Sequence, residues 1–356
     1  MRLKKVKINL DIDRPINYVY RVNFFKGGYV NDLKDIGFYT LEDERVKQIH
    51  VGSPLWRCEL LITSKCNFKC PYCRGTSSKA DITLKEAVET VGVWISNGLK
   101  NVRFSGGEPT IVEWLPNIVS YCKDNYVERI AISTNGSADR ELYDDLLERG
   151  VNDFSISLDA CCASVGDIMA GAEKGVWQKV VDNTKYLTSK TYVTVGVVLT
   201  EETVKDVNKI VKYASDELGV SDIRIISAAQ WNGLIDNIDI EQKYLDRHPI
   251  LKYRWHNIKK ERNVRGINKG DNKYCPLMID DMVVLGGEHY PCIIHLREGG
   301  KPIGKVNSPD MRKERLSYGL NHDTSKDPIC KKNCLDVCVD YNNKCLELRG
   351  LGNVCE

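Results

Sequence analysis

The sequence predicts an α/β fold whose first part alternates strands with helices, followed by a small cysteine-rich C-terminal part. Three observations point there. Short apolar runs of strand length recur between Cys58 and about Gln230. Capped amphipathic segments separate them, and such alternation implies parallel pairing through right-handed crossovers. Seven of the fourteen cysteines then gather after residue 274.

The strand candidates are Glu59–Thr63, Val102–Phe104, Ile130–Ser133, Phe154–Leu158, Val193–Leu199 and Ile223–Ile226. Thr83-Leu84-Lys85-Glu86 has capping-box spacing. Leu84, Val88, Val91 and Trp94 or Ile95 follow on one face, and Asn97-Gly98 is a stop signal. Val204, Val207, Val211, Ala214 and Leu218 form a second helical stripe ending at Gly219. Gly175-Val176-Trp177 with Val180-Val181 opens a further packing helix. Upstream, residues 1–57 form an N-terminal extension. Ile16 to Phe25 and Val30 to Tyr39 suggest short strands or a hairpin about Lys26-Gly27-Gly28, and a cap over one end of the fold is the simplest role.

With 356 residues, 42% hydrophobic and 28% charged, the chain has the composition of a globular protein with room for a core and an appendage. A net charge of +2 points to no class of partner. No window approaches eighteen uninterrupted apolar residues, so no membrane span is expected. The basic start, Met1 to Lys7, lacks the apolar core of a secretory signal. Fourteen cysteines without an export signal fit a cytoplasmic, metal-binding use better than a disulfide framework.

The densest cluster is Cys66-Asn67-Phe68-Lys69-Cys70-Pro71-Tyr72-Cys73, a C-x3-C-x2-C arrangement directly after the first strand. Three thiolates this close can converge on one soft centre, an iron–sulfur cluster or zinc. A closed structural zinc site takes four protein ligands, so three leave a position open for another ligand. A zinc knuckle is the plainer alternative.

The motif resembles the signature of the radical S-adenosylmethionine enzymes, C-x3-C-x-aromatic-C, with Tyr72 in the aromatic slot. The resemblance implies a partial (β/α)6 barrel over residues 58–230. It implies that Cys66, Cys70 and Cys73 hold three irons of a [4Fe-4S] cluster whose fourth iron chelates S-adenosylmethionine. By analogy with complete barrels the chemistry should lie at the C-terminal strand ends. After the second strand, Ser105-Gly106-Gly107-Glu108-Pro109 matches the family's GGE strip. There two glycines let backbone N–H and C=O groups approach the methionine ammonium. Gly106, Gly107 and Glu108 are thus cofactor-binding candidates. Asn135, after the third strand, and Ser157, after the fourth, stand where relatives touch the cofactor's carboxylate and ribose. Helix capping explains either residue as well. Asp159 lies near the same face as an acid, base or substrate anchor. Cys162, beside Cys161, could donate a hydrogen atom to a product radical, though a cysteine there is commonly a small buried hydrophobe.

Residues 231–274 read as a basic linker. Between Lys243 and Lys273 ten Lys or Arg face Asp246, Glu261 and Asp271, with Tyr244, Tyr253, Trp255 and Tyr274 interleaved. Such mixing can hold a polyanion, and a solvated helix face explains it too. In residues 275–356, Cys275, Gly287 and Cys292 resemble the opening of a SPASM domain, which carries auxiliary iron–sulfur clusters. Cys330, Cys334, Cys338, Cys345 and Cys355 follow with altered spacing, C-x3-C-x3-C-x6-C for their first four. The resemblance suggests one or two auxiliary [4Fe-4S] clusters. In the two-cluster arrangement, Cys275, Cys292 and Cys345 serve one, and Cys330, Cys334, Cys338 and Cys355 the other. Zinc is the alternative for the Cys330–Cys338 part.

The function so implied is reductive cleavage of S-adenosylmethionine to a 5′-deoxyadenosyl radical that takes a hydrogen atom from a substrate carbon. A low-potential electron donor is required. SPASM-bearing relatives favour a peptide or protein substrate, the basic 243–274 stretch a nucleotide or nucleic acid. A non-enzymatic iron–sulfur or zinc module is the remaining reading, and the Gly106-Gly107-Glu108 strip speaks against it.

Overall fold

A computed structural model describes residues 43–75, 81–231, 238–262 and 264–349. The hairpin expected near Lys26 and the cysteine Cys355 lie outside the described residues. Each of the six strands predicted between Cys58 and Gln230 is present. β1 (Arg57–Thr63), β2 (Asn101–Gly106), β3 (Arg129–Thr134), β4 (Asp153–Ser157), β5 (Tyr192–Leu199) and β6 (Asp222–Ser227) pair in parallel in sequence order. Their near-continuous apolar runs suit strands covered on both faces. Leu60, Ile62, Val102, Phe104, Ile132, Phe154, Ile156, Val195 and Ile223 are buried in one core.

The sheet continues where the sequence suggested an appendage. β7 (Asp281–Leu285) pairs in parallel with β1, with Cys58 opposite Met282, and β8 (Glu288–Tyr290) and β9 (Gly304–Lys305) complete an antiparallel edge. The sheet runs β6-β5-β4-β3-β2-β1-β7-β8-β9 and stays open rather than closing on itself. The cysteine-rich part therefore shares backbone hydrogen bonds with the strand that leads into Cys66.

The crossover helix Leu84–Ser96 begins at the expected box: Glu86 N donates to Thr83 Oγ1 at 3.3 Å, and Thr83 N donates to Glu86 Oε2 at 2.7 Å. Its buried face centres on Ala87, Val91 and Trp94 rather than on Leu84 and Val88, which are half-buried. The second stripe forms a helix over Val207–Lys212 that widens into a π turn, with Leu218 N donating to Tyr213 O at 3.2 Å.

Within 231–274 the chain forms helices Gln242–Arg247 and Pro249–Lys259, the second packed on β6. Asp222 at the start of β6 accepts the Ile250 N–H at 3.0 Å. The cations do not make an open basic stripe. Arg254 is buried against Asp336, Arg262 pairs with Asp340, and Arg247 pairs with Asp216 at 3.2 Å. At the N-terminal side, Arg45 is buried between Asp280 and Asp281, 3.1 Å from Asp280 Oδ2 through Nε. Its helix, Asp43–Gln48, packs against the helix Asp336–Arg349.

Candidate active site at the strand ends

The loop holding Cys66, Cys70 and Cys73 leaves β1 over the C-terminal ends of β2–β4. Cys66 and Cys73 are exposed and Cys70 is half-buried. The Cys66 thiol accepts the Phe68 N–H at 3.4 Å, and the Cys73 thiol accepts the Gly75 N–H at 3.3 Å. Burial pushes the Cys70 thiol up to about 11, so without metal it stays protonated and loading releases a proton. Three sulfurs presented on one exposed loop, two receiving N–H donors, fit a cluster with one open corner.

Two tethers position the loop. Asn135 Nδ2 donates to Asn67 Oδ1 at 2.7 Å, and Asn67 Nδ2 donates to Ser137 Oγ at 2.8 Å, binding the motif to the end of β3. The Tyr72 phenol donates to Asp159 Oδ2, and Asp159 Oδ1 accepts the Val198 N–H at 2.6 Å. Both Asp159 oxygens are thus occupied, and burial lifts its carboxyl to about 6 against those bonds. Lys69 N donates to Ala170 O at 2.9 Å, so the helix Ala163–Ala170 braces the loop from a third side.

The Gly106-Gly107-Glu108 strip is fixed by close approach. A Cβ on Gly107 would lie 2.0 Å from Lys65 O, and one on Gly106 2.1 Å from Thr63 O, with Gly106 at φ +140°. Only glycine tolerates both. The Gly107 and Glu108 N–H groups donate to Thr63 O and Lys65 O, each at 2.8 Å. Those N–H groups, expected to face a ligand, are consumed in extending the β1 pairing, which leaves carbonyls for that role. Glu108 is buried. Its carboxylate accepts from Thr110 N at 3.1 Å, Thr110 Oγ1 at 2.7 Å, Thr134 Oγ1 at 2.6 Å and Asn135 N at 2.7 Å. Its side chain therefore brackets β2 to the end of β3.

Ser157 ends β4 with its side chain exposed. Cys162 is the exposed N-cap of the helix Ala163–Ala170; bonds from Ser164 and the Val165 N–H hold its thiol below the ordinary value. It opens on a cleft of about 440 Å³ lined by Asp159, Cys161, Ile168, Lys205 and Lys209 among others. Cys161 is half-buried against the core, closer to the packing role.

Sequence reasoning missed three arginines brought together from distant segments. Arg74 follows Cys73 and pairs with Glu298. Arg297 Nη2 donates to Gly106 O at 3.4 Å. Arg265 is buried, donating to Ser227 O at 2.8 Å, and burial with the charges of Arg74, Arg254 and Arg297 lowers it to about 9. Only folding shows this convergence; Asn67, inside the motif, was the one missed contact with a local signal.

The tail cysteines also converge. Cys275 precedes the turn Pro276–Ile279, and Asn342 Nδ2 lies 3.5 Å from its sulfur. Cys292 caps the helix Ile293–Arg297, which packs on the helix Pro328–Asn333 carrying Cys330; Cys334 ends that helix and Cys338 lies in the next. Burial, then the charges of Cys338, Cys275, Cys292 and Cys330, push the Cys334 thiol well up. Cys345 is fully buried with Val46, Ile49, Leu277, Ile279 and Tyr341, a cluster against which Cys275 and Cys338 also pack.

The radical SAM superfamily model matches residues 60–214. A probable GTP 3′,8-cyclase of Methanococcus maripaludis is 31% identical over 112 residues, 30% of this chain and 38% of that protein. The chain spans 38% to 56% of the length of the first curated relatives it matches. Among solved structures, anSMEcpe with bound AdoMet superposes with a TM-score of 0.54 at 18% identity, covering 84% of this chain and 96% of that one. Streptococcus suis SuiB bound to precursor peptide SuiA gives 0.52 at 15% identity, covering 72% of this chain and 63% of that one. At these identities the structural likeness concerns the fold. No described helix is long and apolar enough to cross a membrane.

Proposed function

We propose, from the radical SAM superfamily model that matches residues 60–214, an enzyme that abstracts a hydrogen atom from a substrate carbon. Cys66, Cys70 and Cys73 would hold its [4Fe-4S] cluster, with S-adenosylmethionine between that cluster and the ends of β2–β4. When bound and reduced, this pair supplies a 5′-deoxyadenosyl radical. The observation that carries the reading is the tethered cysteine loop above a side-chain-free Gly106-Gly107 cradle.

The chain's own residues then divide the work. Carbonyls of the Gly106–Gly107 strip accept an ammonium, Asn135 and Ser157 border the cofactor's polar groups, and Glu108 fixes the cradle. Asp159 is a positioning residue acting through Tyr72. Cys162 on the adjoining cleft is the thiol able to donate a hydrogen atom to a product radical. In the tail, the convergence of Cys275, Cys292, Cys330, Cys334 and Cys338 favours a single auxiliary [4Fe-4S] cluster over two.

For substrate, the tail's resemblance and the SuiB complex with SuiA support a peptide or protein. A second reading, a nucleotide, is favoured by Arg74, Arg265 and Arg297, which lie near enough to feel one another's charge, with Arg297 on the Gly106 carbonyl, a grouping that suits phosphate.

The test is anaerobic reconstitution, reduction and assay for 5′-deoxyadenosine, beside a Cys66→Ala, Cys70→Ala, Cys73→Ala variant. Deoxyadenosine from the wild type alone, with iron retained in the variant's tail, supports the reading. A fully loaded wild type that neither binds S-adenosylmethionine nor yields deoxyadenosine sinks it.

A further inference from the structure

Away from the cysteine loop, His322, Asp327 and Cys330 bring an imidazole nitrogen, a carboxylate oxygen and a thiol within 4.8 Å of one another. His322 follows the helix Met311–Asn321, and Asp327 caps the helix Pro328–Asn333, whose first turn holds Cys330. Asp327 spends Oδ1 on the N–H groups of Ile329 at 2.8 Å and Cys330 at 2.9 Å. Its Oδ2 faces two imidazoles, with His322 Nε2 at 3.0 Å and His295 Nε2 at 3.5 Å. His322 Nε2 is buried yet makes no hydrogen bond of acceptable angle. Its ring is fixed by stacking on Tyr318, centroids 4.5 Å apart. His295 is 5% exposed, and its backbone N–H donates to the Cys292 sulfur at 3.4 Å.

We propose that His295, His322, Asp327 and Cys330 form a mononuclear site for a divalent cation of the zinc class, separate from the iron–sulfur centres. Two imidazole nitrogens, one carboxylate oxygen and one thiolate are a tetrahedral set suited to zinc. The ligand atoms of His322, Asp327 and Cys330 already lie within 4.8 Å of one another, and His295 Nε2 joins the set 3.5 Å from Asp327 Oδ2. A purely hydrogen-bonded arrangement, with the Cys330 thiol and His295 both turned to Asp327, still leaves the His322 nitrogen buried without a bond. A cation would give that nitrogen its partner, and Asp327 Oδ1 stays on the helix cap. The site would pin the turn carrying Cys292 to the helix carrying Cys334. It also accounts for the fifth converging cysteine: with Cys330 on zinc, Cys275, Cys292, Cys334 and Cys338 remain as four cluster ligands. That last assignment rests on the auxiliary-cluster reading above, whereas the zinc site does not.

The experiment uses the full chain, reconstituted anaerobically, exposed to zinc chloride and dialysed into metal-free buffer, with zinc, iron and sulfide counted separately. About one zinc per chain is expected. His322→Gln and Asp327→Asn should each lower retained zinc at least tenfold with iron and sulfide unchanged. Asparagine keeps the cap acceptor, so the second variant folds. Cobalt in place of zinc should show a thiolate-to-metal charge-transfer band that Cys330→Ser abolishes. No zinc in the wild type, or zinc retention unaffected by His322→Gln, overturns the proposal. So does a loss of iron and sulfide in Cys330→Ser, which would place that thiolate on the cluster. Failure of the radical reading has a different signature: no deoxyadenosine with the zinc count intact.

Discussion

The Tyr72 phenol donates its hydrogen bond to Asp159, a buried carboxylate eighty-seven positions along the chain and just beyond the end of β4. The aromatic residue of the cysteine motif is thereby held from behind by the strand-end face it overlies. With the Val198 N–H on the other oxygen, Asp159 ties the loop to both β4 and β5.

This tie should depend on pH. Burial raises the folded-state pKa of Asp159 to about 6 from an ordinary 3.8. A raised carboxyl contributes stability that is complete below the unfolded value and is lost as pH rises through the folded one. Between pH 5 and 8 about 1 kcal/mol should be lost. Asp159→Asn should abolish that slope, as read from urea midpoints at the two pH values. Parallel slopes in both proteins would refute it.

Glu108 receives four hydrogen bonds in the core of the site. Glu108→Ala should cost about 2–4 kcal/mol, because the Asn135 N–H and the Thr134 hydroxyl lose their acceptor. Affinity for S-adenosylmethionine should fall with it. A melting temperature within a degree of wild type would show that the bracket is dispensable.

Gly107→Ala sets a Cβ 2.0 Å from Lys65 O. The strip must leave β1, and S-adenosylmethionine affinity by equilibrium dialysis should weaken at least tenfold. Far-ultraviolet dichroism should stay unchanged, since the position lies at a strand end.

Iron counting separates the cysteines. A single auxiliary centre predicts about eight irons in the loaded wild type and about four in the Cys66→Ala, Cys70→Ala, Cys73→Ala variant. Cys345→Ala should keep the full iron count and lose about 1 kcal/mol of packing in the apolar cluster around Tyr341. Iron loss in that variant would return Cys345 to a ligand role.

The arginines distinguish the substrates. A nucleoside triphosphate should raise the melting temperature of the wild type by several degrees, and Arg297→Gln should remove most of the shift. A shift of equal size in both proteins would take Arg297 out of anion binding.

Local information fixed much of this protein. The six barrel strands, the Thr83–Glu86 cap, the three-cysteine motif and the Gly106–Gly107 turn were all legible, because each is a short-range pattern of hydrophobicity, capping or spacing. Tertiary structure decided the rest. Glu108 and Asp159 carry no local mark distinguishing a ligand from a bracket; their oxygens are consumed by Thr134, Asn135, Tyr72 and Val198, which arrive from other strands. The cations of 231–274 read as a basic stripe until Asp216, Asp336 and Asp340 met them from elsewhere. The cysteines of the tail lie far apart along the chain, and helix packing brings Cys275, Cys292, Cys330, Cys334 and Cys338 near one another, with Cys345 in an apolar cluster that Cys275 and Cys338 also touch. Spacing along a chain constrains what neighbours can do, whereas charge pairing and ligand sets depend on which distant segments the sheet brings side by side.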